Sequence, residues 1–230
     1  MAKSKRRNSN YQTEKREAAR LEREKALAAE KRKRLARSIA IPAIAVLLIA
    51  SVILGVVGYT SGWFGFRATH KATIIIEDYG TVELELYGDE APITVANFAK
   101  LASEGFYDGL TFHRIVEGFM AQGGDPDGDG SGGSSETIKG EFKSNGVWND
   151  IKHVRGTISM ARSKSYDSAS SQFFIVHQDS RESLDGLYAA FGRVTSGIEV
   201  IDKLCEGRTK DVILPESDQP RILSIKVEKL

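Results

Sequence analysis

The apolar and polar positions divide the 230-residue chain into two parts of different character. Residues 39–57 are almost continuously Ile, Val, Leu and Ala, whereas from residue 71 onward short apolar runs alternate with turn residues. Val82, Leu84 and Leu86 fall on one face of an extended stretch, and two Glu fall on the other. With an apolar run at 73–77 just before it, this alternation predicts an antiparallel hairpin with one face on a core.

Helical spacing appears once the hairpin has ended. Val95, Phe98, Ala99 and Ala102 recur at intervals of three and four residues, and Pro92 precedes them in the first turn. Further strands are predicted at 111–116, 119–122, 156–161, 172–177, 189–194 and 221–228, and a second helix at 197–205. Many short strands with two helices predict a mostly β domain, a closed antiparallel barrel capped by the helices.

The apolar stretch near the N-terminus is long enough to cross a membrane. No charged residue stands between Arg37 and Arg67, and about 20 helical residues span a hydrocarbon core of about 30 Å. Trp63 is one of three aromatic residues at its far end, where amphipathic rings favour the headgroup level. A cleaved signal peptide is the alternative, but the basic leader and the apolar run are both too long for one. We therefore predict a transmembrane helix at 38–60.

Charge supports this division. The whole chain has 32 Lys and Arg against 31 Asp and Glu, which argues against a dedicated nucleic-acid-binding protein. Residues 1–37 alone carry 14 basic and 5 acidic residues, and their composition predicts a charged helix. The positive-inside rule places this basic segment in the cytoplasm. A linker at 61–70 and a domain at 71–230 then lie outside the cytoplasm, in a single-pass protein of the cell membrane that contacts lipid through its span.

Four short motifs carry chemistry. They read FHRI at 112–115, GFMAQGGD at 118–125, SQFFI at 171–175 and LDG at 184–186. In this order and spacing they strongly resemble the cyclophilin family, in a membrane-anchored bacterial form. The resemblance covers the whole domain and implies an eight-stranded barrel with peptidyl-prolyl cis/trans isomerase activity. It also implies proline-containing polypeptides as partners and no metal or other cofactor. We expect a monomer.

The resemblance also suggests roles for individual residues. Arg114 looks like the catalytic arginine, Gln122 a polar positioning residue, and His113 a histidine at the pocket edge. The substrate-binding positions are Phe119, Met120, Ala161, Arg162, Phe174, Leu184 and Tyr188. An arginine suits this reaction because the nitrogen of a twisted X-Pro amide accepts a hydrogen bond, which the planar amide nitrogen does not.

Three positions depart from the familiar pattern of the family. Arg162 stands where asparagine is frequent, Ser183 where a tryptophan favours cyclosporin binding, and Tyr188 where a histidine borders the pocket. These departures predict an altered peptide preference and weaker drug binding rather than a loss of activity. A non-catalytic chaperone or scaffold that only holds proline segments is the competing function. The presence of Arg114 and Gln122 favours the enzyme.

A second pattern suggests calcium. Asp125 to Glu136 fits the spacing of a calcium-binding loop. Against this, residues 119–122 predict a strand rather than an entering helix, and Gly132 occupies a position that is usually apolar. We therefore predict no metal site here.

Overall fold

The computed structural model describes residues 30–31 and 65–230 of the chain. Glu30 and Lys31 are helical and exposed, whereas the rest of the predicted charged helix and the predicted membrane span at 38–60 lie outside the described residues. Within the part of the chain that is described, no helix is long and apolar enough to cross a bilayer. Residues 65–230 form one compact unit.

The described domain is mostly β. Its strands are β1 (His70–Ile76), β2 (Gly80–Leu86), β3 (Arg114–Val116), β4 (Met120–Gly123), β5 (Thr157–Met160), β6 (Phe173–Val176), β7 (Ala190–Ser196) and β8 (Ile222–Lys229). Its helices are α1 (Pro92–Ser103), the single turn α2 (Arg181–Leu184) and α3 (Ile198–Cys205), with 3-10 turns at Lys143–Asn145 and Glu216–Asp218. The predicted strands and the two predicted helices are present, whereas α2 was not predicted.

The eight strands form one antiparallel sheet in the order β3-β4-β6-β5-β7-β2-β1-β8. The predicted hairpin is β1 and β2, with Ile74 opposite Val82. Val82, Leu84 and Leu86 are all fully buried, so the alternation read from the sequence identified the core face correctly. Asp78 in the connecting turn has a φ of 62°, a conformation that aspartate tolerates better than most residues.

The prediction of a closed barrel is wrong, because the ladder of strands stays open between β3 and β8. The two ends of the sheet are joined only by irregular backbone contacts, among them Ile222 N–H donating to Leu110 O at 2.7 Å. β3 has only three residues, and its outer edge is taken by the segment that ends at Leu214, whose N–H donates to His113 O at 2.8 Å. The described domain is therefore an open half-barrel.

The two largest of three apolar clusters in the described domain organise the packing around the sheet. The main core lies between the sheet and helices α1 and α3, and Phe98 of α1 meets Phe173 edge-on at 5.5 Å between ring centroids. A smaller cluster contains Met120, Phe174, Val176 and Leu184. Strand β6 supplies both clusters with alternate residues, so the sheet is covered on both faces at this point.

Candidate active site

The smaller cluster lines a cavity of about 290 Å³. The lining combines an apolar floor with a few polar side chains, which is the usual make-up of a ligand pocket. Its residues are Arg114, Phe119, Met120, Gln122, Gly130, Ala161, Arg162, Phe174, Leu184, Tyr188 and Ile213. The structure thus brings together every predicted site residue except His113. Gly130 and Ile213 were not predicted.

The apolar part of the cavity follows from strand geometry. Met120 and Gln122 lie two residues apart on β4 and therefore face the same side of the sheet. Phe174 on β6 pairs with Gln122 across the sheet, and Tyr188 meets the Phe174 ring edge-on at 5.8 Å. The single turn α2 supplies Leu184. The result is an apolar socket with a polar strand residue at its margin.

Arg114 lies on β3 directly opposite Gln122. Its Nη1 donates to Oε1 of Gln122 at 3.0 Å and lies 4.0 Å from Sδ of Met120. The guanidinium carbon is 5.8 Å from the centre of the Phe119 ring. The cation is therefore held beside the apolar socket, with donors available to a group bound there.

Asp211 holds the other side of the guanidinium. Its Oδ1 accepts from Nε of Arg114 at 2.6 Å and its Oδ2 from Nη2 at 2.9 Å. Hydrogen bonding to Arg114 lowers the pKa of the Asp211 carboxyl, so the pair is charged at neutral pH. Sequence reasoning missed Asp211 because it lies 97 residues from Arg114, in a polar stretch with no motif.

Gln122 joins this site to a second cavity of about 380 Å³. Its Nε2 donates to Oε1 of Gln172 at 2.8 Å, and Nε2 of Gln172 donates to Gly132 O at 2.7 Å. Serine side chains and glycine backbone make up much of the second lining, including Ser131 and Ser168. A polar groove therefore continues from the apolar socket.

Arg162 lies at the junction, since it lines both cavities. Its guanidinium is surrounded by the rings of Tyr188, Tyr166 and Phe142, at 4.7, 5.1 and 5.3 Å. Its Nε also donates to Leu187 O at 3.0 Å. Nη1 donates to Ser163 O at 2.9 Å as well. Three aromatic faces and two carbonyls hold the cation in place, and asparagine could not make these contacts.

His113 does not line the cavity. It is fully buried, and neither ring nitrogen makes a well-formed hydrogen bond to any residue in the described part of the chain. Burial lowers the pKa of the His113 imidazole, against the opposing charge of Asp125. Neighbouring residues on an extended chain point to opposite sides, so a cavity-facing Arg114 places His113 on the inner side.

The acidic loop that begins at Asp125 uses its first carboxylate for its own backbone. Asp125 is buried, and it accepts from the N–H groups of Asp127 at 3.0 Å and Gly130 at 2.6 Å. Across residues 65–230, no group of three or more His, Cys, Asp or Glu is placed to hold a metal ion.

Comparison with known proteins now identifies this arrangement. The sequence model of the cyclophilin-type peptidyl-prolyl cis-trans isomerases matches residues 71–227. The chain belongs to the cyclophilin family. Peptidyl-prolyl cis-trans isomerase B of Bacillus subtilis is 49% identical over 133 residues, which cover 58% of this chain and 89% of the relative. A peptidyl-prolyl cis-trans isomerase of Helicobacter pylori is 47% identical over 130 residues, 56% of this chain and 76% of the relative.

Solved structures agree with the sequence relatives. A cyclophilin-type isomerase of Cryptosporidium parvum, crystallised in the presence of the dipeptide Ala-Pro, is 32% identical and superposes with a TM-score of 0.61. The match covers 70% of this chain and 99% of that protein. The cyclophilin fold and the isomerase class predicted from the four motifs are thereby confirmed, whereas the membrane-anchored form stays a prediction.

Proposed function

We propose that this cyclophilin rotates X-Pro peptide bonds in the cavity beside Arg114, with Arg114 as the transition-state donor. The apolar socket of Phe119, Met120, Phe174 and Leu184 has the character needed to take the proline ring. The Cryptosporidium parvum relative, crystallised in the presence of Ala-Pro, supports a proline-containing ligand. The observation that carries the proposal is the fixed guanidinium of Arg114 beside this socket.

The chemistry requires little beyond a socket and a donor. Rotation about an amide costs about 18–20 kcal/mol because the nitrogen lone pair is delocalised into the carbonyl. In the twisted transition state the lone pair returns to nitrogen and accepts a hydrogen bond. A guanidinium N–H placed near the proline nitrogen therefore binds the transition state better than either planar isomer, which lowers the barrier.

Gln122 holds Arg114 in position. Its Oε1 accepts from Arg114, and its own amide is fixed by Gln172. This chain of hydrogen bonds fixes the guanidinium beside the socket. Since the donor is positioned before the substrate arrives, little reorganisation is needed when the bond twists.

Replacing Arg114 tests the role directly. We expect Arg114→Ala to lower kcat/KM for proline peptides at least about tenfold, because the transition state loses its donor. Thermal unfolding should show a folded domain, since Arg114 is partly exposed and its ion pair with Asp211 contributes little to stability. The matched control is Arg193→Ala, an exposed arginine on β7 away from the cavity. Unchanged turnover in Arg114→Ala would remove this residue from the mechanism.

The competing function, a chaperone or scaffold that only holds proline segments, is not favoured. A holder gains nothing from a donor that binds a twisted amide more tightly than a planar one. The two functions separate in the Arg114→Ala variant. An isomerase loses turnover but keeps peptide binding, whereas a holder has negligible turnover already in the natural protein.

We further propose that the enzyme acts outside the cytoplasm as a monomer, anchored in the cell membrane through residues 38–60, and assists the folding of exported proteins. The length of the uncharged stretch and the basic residues before it support this orientation. Protease added to intact cells should digest the domain while a cytoplasmic marker protein survives. Digestion of the domain only after lysis would overturn the orientation.

A further inference from the structure

A segment outside the predicted motifs forms one rim of the cavity. Residues 208–214, here called the rim segment, run along the outer edge of β3. Leu214 N–H donates to His113 O at 2.8 Å, and Ile213 forms an isolated β-bridge with Arg114. The side chain of Ile213 contributes to the cavity lining. The rim segment is therefore fixed to the strand that carries the arginine.

This docking brings Asp211 onto the guanidinium from the side opposite Gln122. Asp211 takes Nε and one N–H of Nη2, at 2.6 and 2.9 Å, while Nη1 donates to Gln122 at 3.0 Å. A guanidinium has five N–H groups in a rigid plane. These two neighbours fix the plane of Arg114 and take three of its five N–H groups. The second N–H of Nη1, whose nitrogen lies 4.0 Å from Sδ of Met120, and the second N–H of Nη2 have no oxygen acceptor among the described residues.

Stability alone is a poor explanation for this pair. The side chain of Arg114 is 27% exposed and that of Asp211 is 58% exposed. Ion pairs of this exposure contribute little to the stability of the fold. The pair does, however, fix a long side chain that would otherwise sample several rotamers, and that ordering matters where the arginine must meet a transition state.

We propose that Asp211 is a positioning residue for proline isomerisation, which holds the plane of the Arg114 guanidinium so that its remaining N–H donors face the cavity. The inference rests on the proposed role of Arg114 as donor. It gives the rim segment, which lies outside all four sequence motifs, a role in the reaction. Asp211 acts through Arg114 and does not touch the substrate.

The test is a double-mutant cycle on proline-peptide turnover. We expect Asp211→Ala to lower kcat/KM about tenfold, and Asp211→Asn, which keeps the shape but only one of the two acceptor oxygens and no charge, about threefold. Titration with the same peptide should give a dissociation constant within about twofold of the natural protein's, because a bound planar amide does not use the donor. In an Arg114→Ala background, Asp211→Ala should cause no further loss.

Two control variants match the change in charge. Asp202→Asn removes a carboxylate that accepts from Nη1 and Nη2 of Arg155, both at 2.6 Å, and Asp89→Asn removes one that is 59% exposed. Neither residue lines the cavity, so both variants should keep the turnover of the natural protein. Thermal unfolding of every variant reports any loss of folding.

The outcomes separate this inference from the proposed function. Full turnover in Asp211→Ala, increased turnover in it, or a further loss in the Arg114→Ala background would each overturn the positioning role while leaving Arg114 as donor. Unchanged turnover in Arg114→Ala would overturn the donor role itself. Loss confined to the Arg114-containing background, with peptide binding retained, would establish the positioning role.

Discussion

Adjacent residues of strand β6 are buried alike but serve different parts of the molecule. Phe173 is 0% exposed and belongs to the main core, whereas Phe174 is 4% exposed and belongs to the cavity cluster. Phe173 meets the rings of Phe98, Tyr107 and Phe112 edge-on at 5.5 to 5.8 Å. Burial therefore does not distinguish a residue of the fold from a residue of the site, but the neighbours of the residue do.

The two residues also differ in what would fill their space. Phe173 is enclosed by rings from α1 and from the segment before β3, and its removal would leave a closed void. Phe174 borders an existing cavity, into which solvent can enter. A closed void costs more because the surrounding atoms lose contacts that nothing replaces.

The largest effect should come from the inner residue. We expect Phe173→Ala to lower the free energy of unfolding by about 3–5 kcal/mol, the usual cost of deleting an enclosed aromatic side chain. Urea denaturation monitored by circular dichroism measures it. A loss below about 1 kcal/mol would show that the core collapses around the gap and would break the comparison.

The outer residue should affect activity more than folding. We expect Phe174→Ala to lower kcat/KM about tenfold, since the socket loses a wall that would contact the proline ring. Its free energy of unfolding should fall by less than that of Phe173→Ala, by about 2 kcal/mol. Equal losses of stability in the two variants, with turnover per folded molecule unchanged in Phe174→Ala, would contradict the division of the strand into two faces.

A pH experiment extends the comparison to residues 113 and 114, one facing inward and one outward. Burial lowers the pKa of His113, so folding favours the neutral ring. Stability is then fully present above the unfolded value of about 6.5 and falls as the pH drops below it, because the unfolded chain binds the proton more readily. We expect the melting temperature to fall between pH 7 and pH 5.

The melting temperatures of His113→Phe and His113→Gln should fall less between pH 7 and pH 5 than that of the natural protein. His70→Gln is the comparison variant. His70 is a half-buried histidine at the start of β1, and desolvation lowers its pKa too, so this variant shows how much of the pH dependence belongs to His70 rather than to His113. An identical slope in the natural protein and in both His113 variants would mean that other groups govern the acid sensitivity.

The smallest effect is expected at Arg162. Replacing it with asparagine removes one cation from the faces of three rings, which should cost about 0.5–1 kcal/mol in all at a partly exposed site. We expect kcat/KM for an uncharged peptide to change less than about threefold, while discrimination between acidic and basic residues flanking the proline declines. Arg162→Lys should not restore the natural stability, because a compact ammonium cannot stack on several rings at once. Peptide sets with matched charge changes measure the selectivity.

Much of the domain could be predicted from residue patterns, because its strands alternate regularly and its site residues cluster in short motifs. Val82, Leu84 and Leu86 show their core face directly, and GFMAQGGD places Met120 and Gln122 on one strand. The open edge of the sheet could not be predicted, because closure of the barrel depends on which segment occupies the outer edge of β3 in the folded domain. Asp211 could not be predicted either, because its partner is fixed only by the docking of the rim segment.

The pairing of β1 with β8 has a consequence for biosynthesis. His70 pairs with Lys229 across the sheet, so the ladder between the first and the last strand of the domain can form only after β8 has been synthesised. Contacts between such distant residues form slowly, since a long loop must close first. Until residue 229 has left the ribosome, Ile74, Ile75 and Ile76 line an unpaired strand edge, which invites association with other chains. This isomerase would thus need protection from association during its own synthesis.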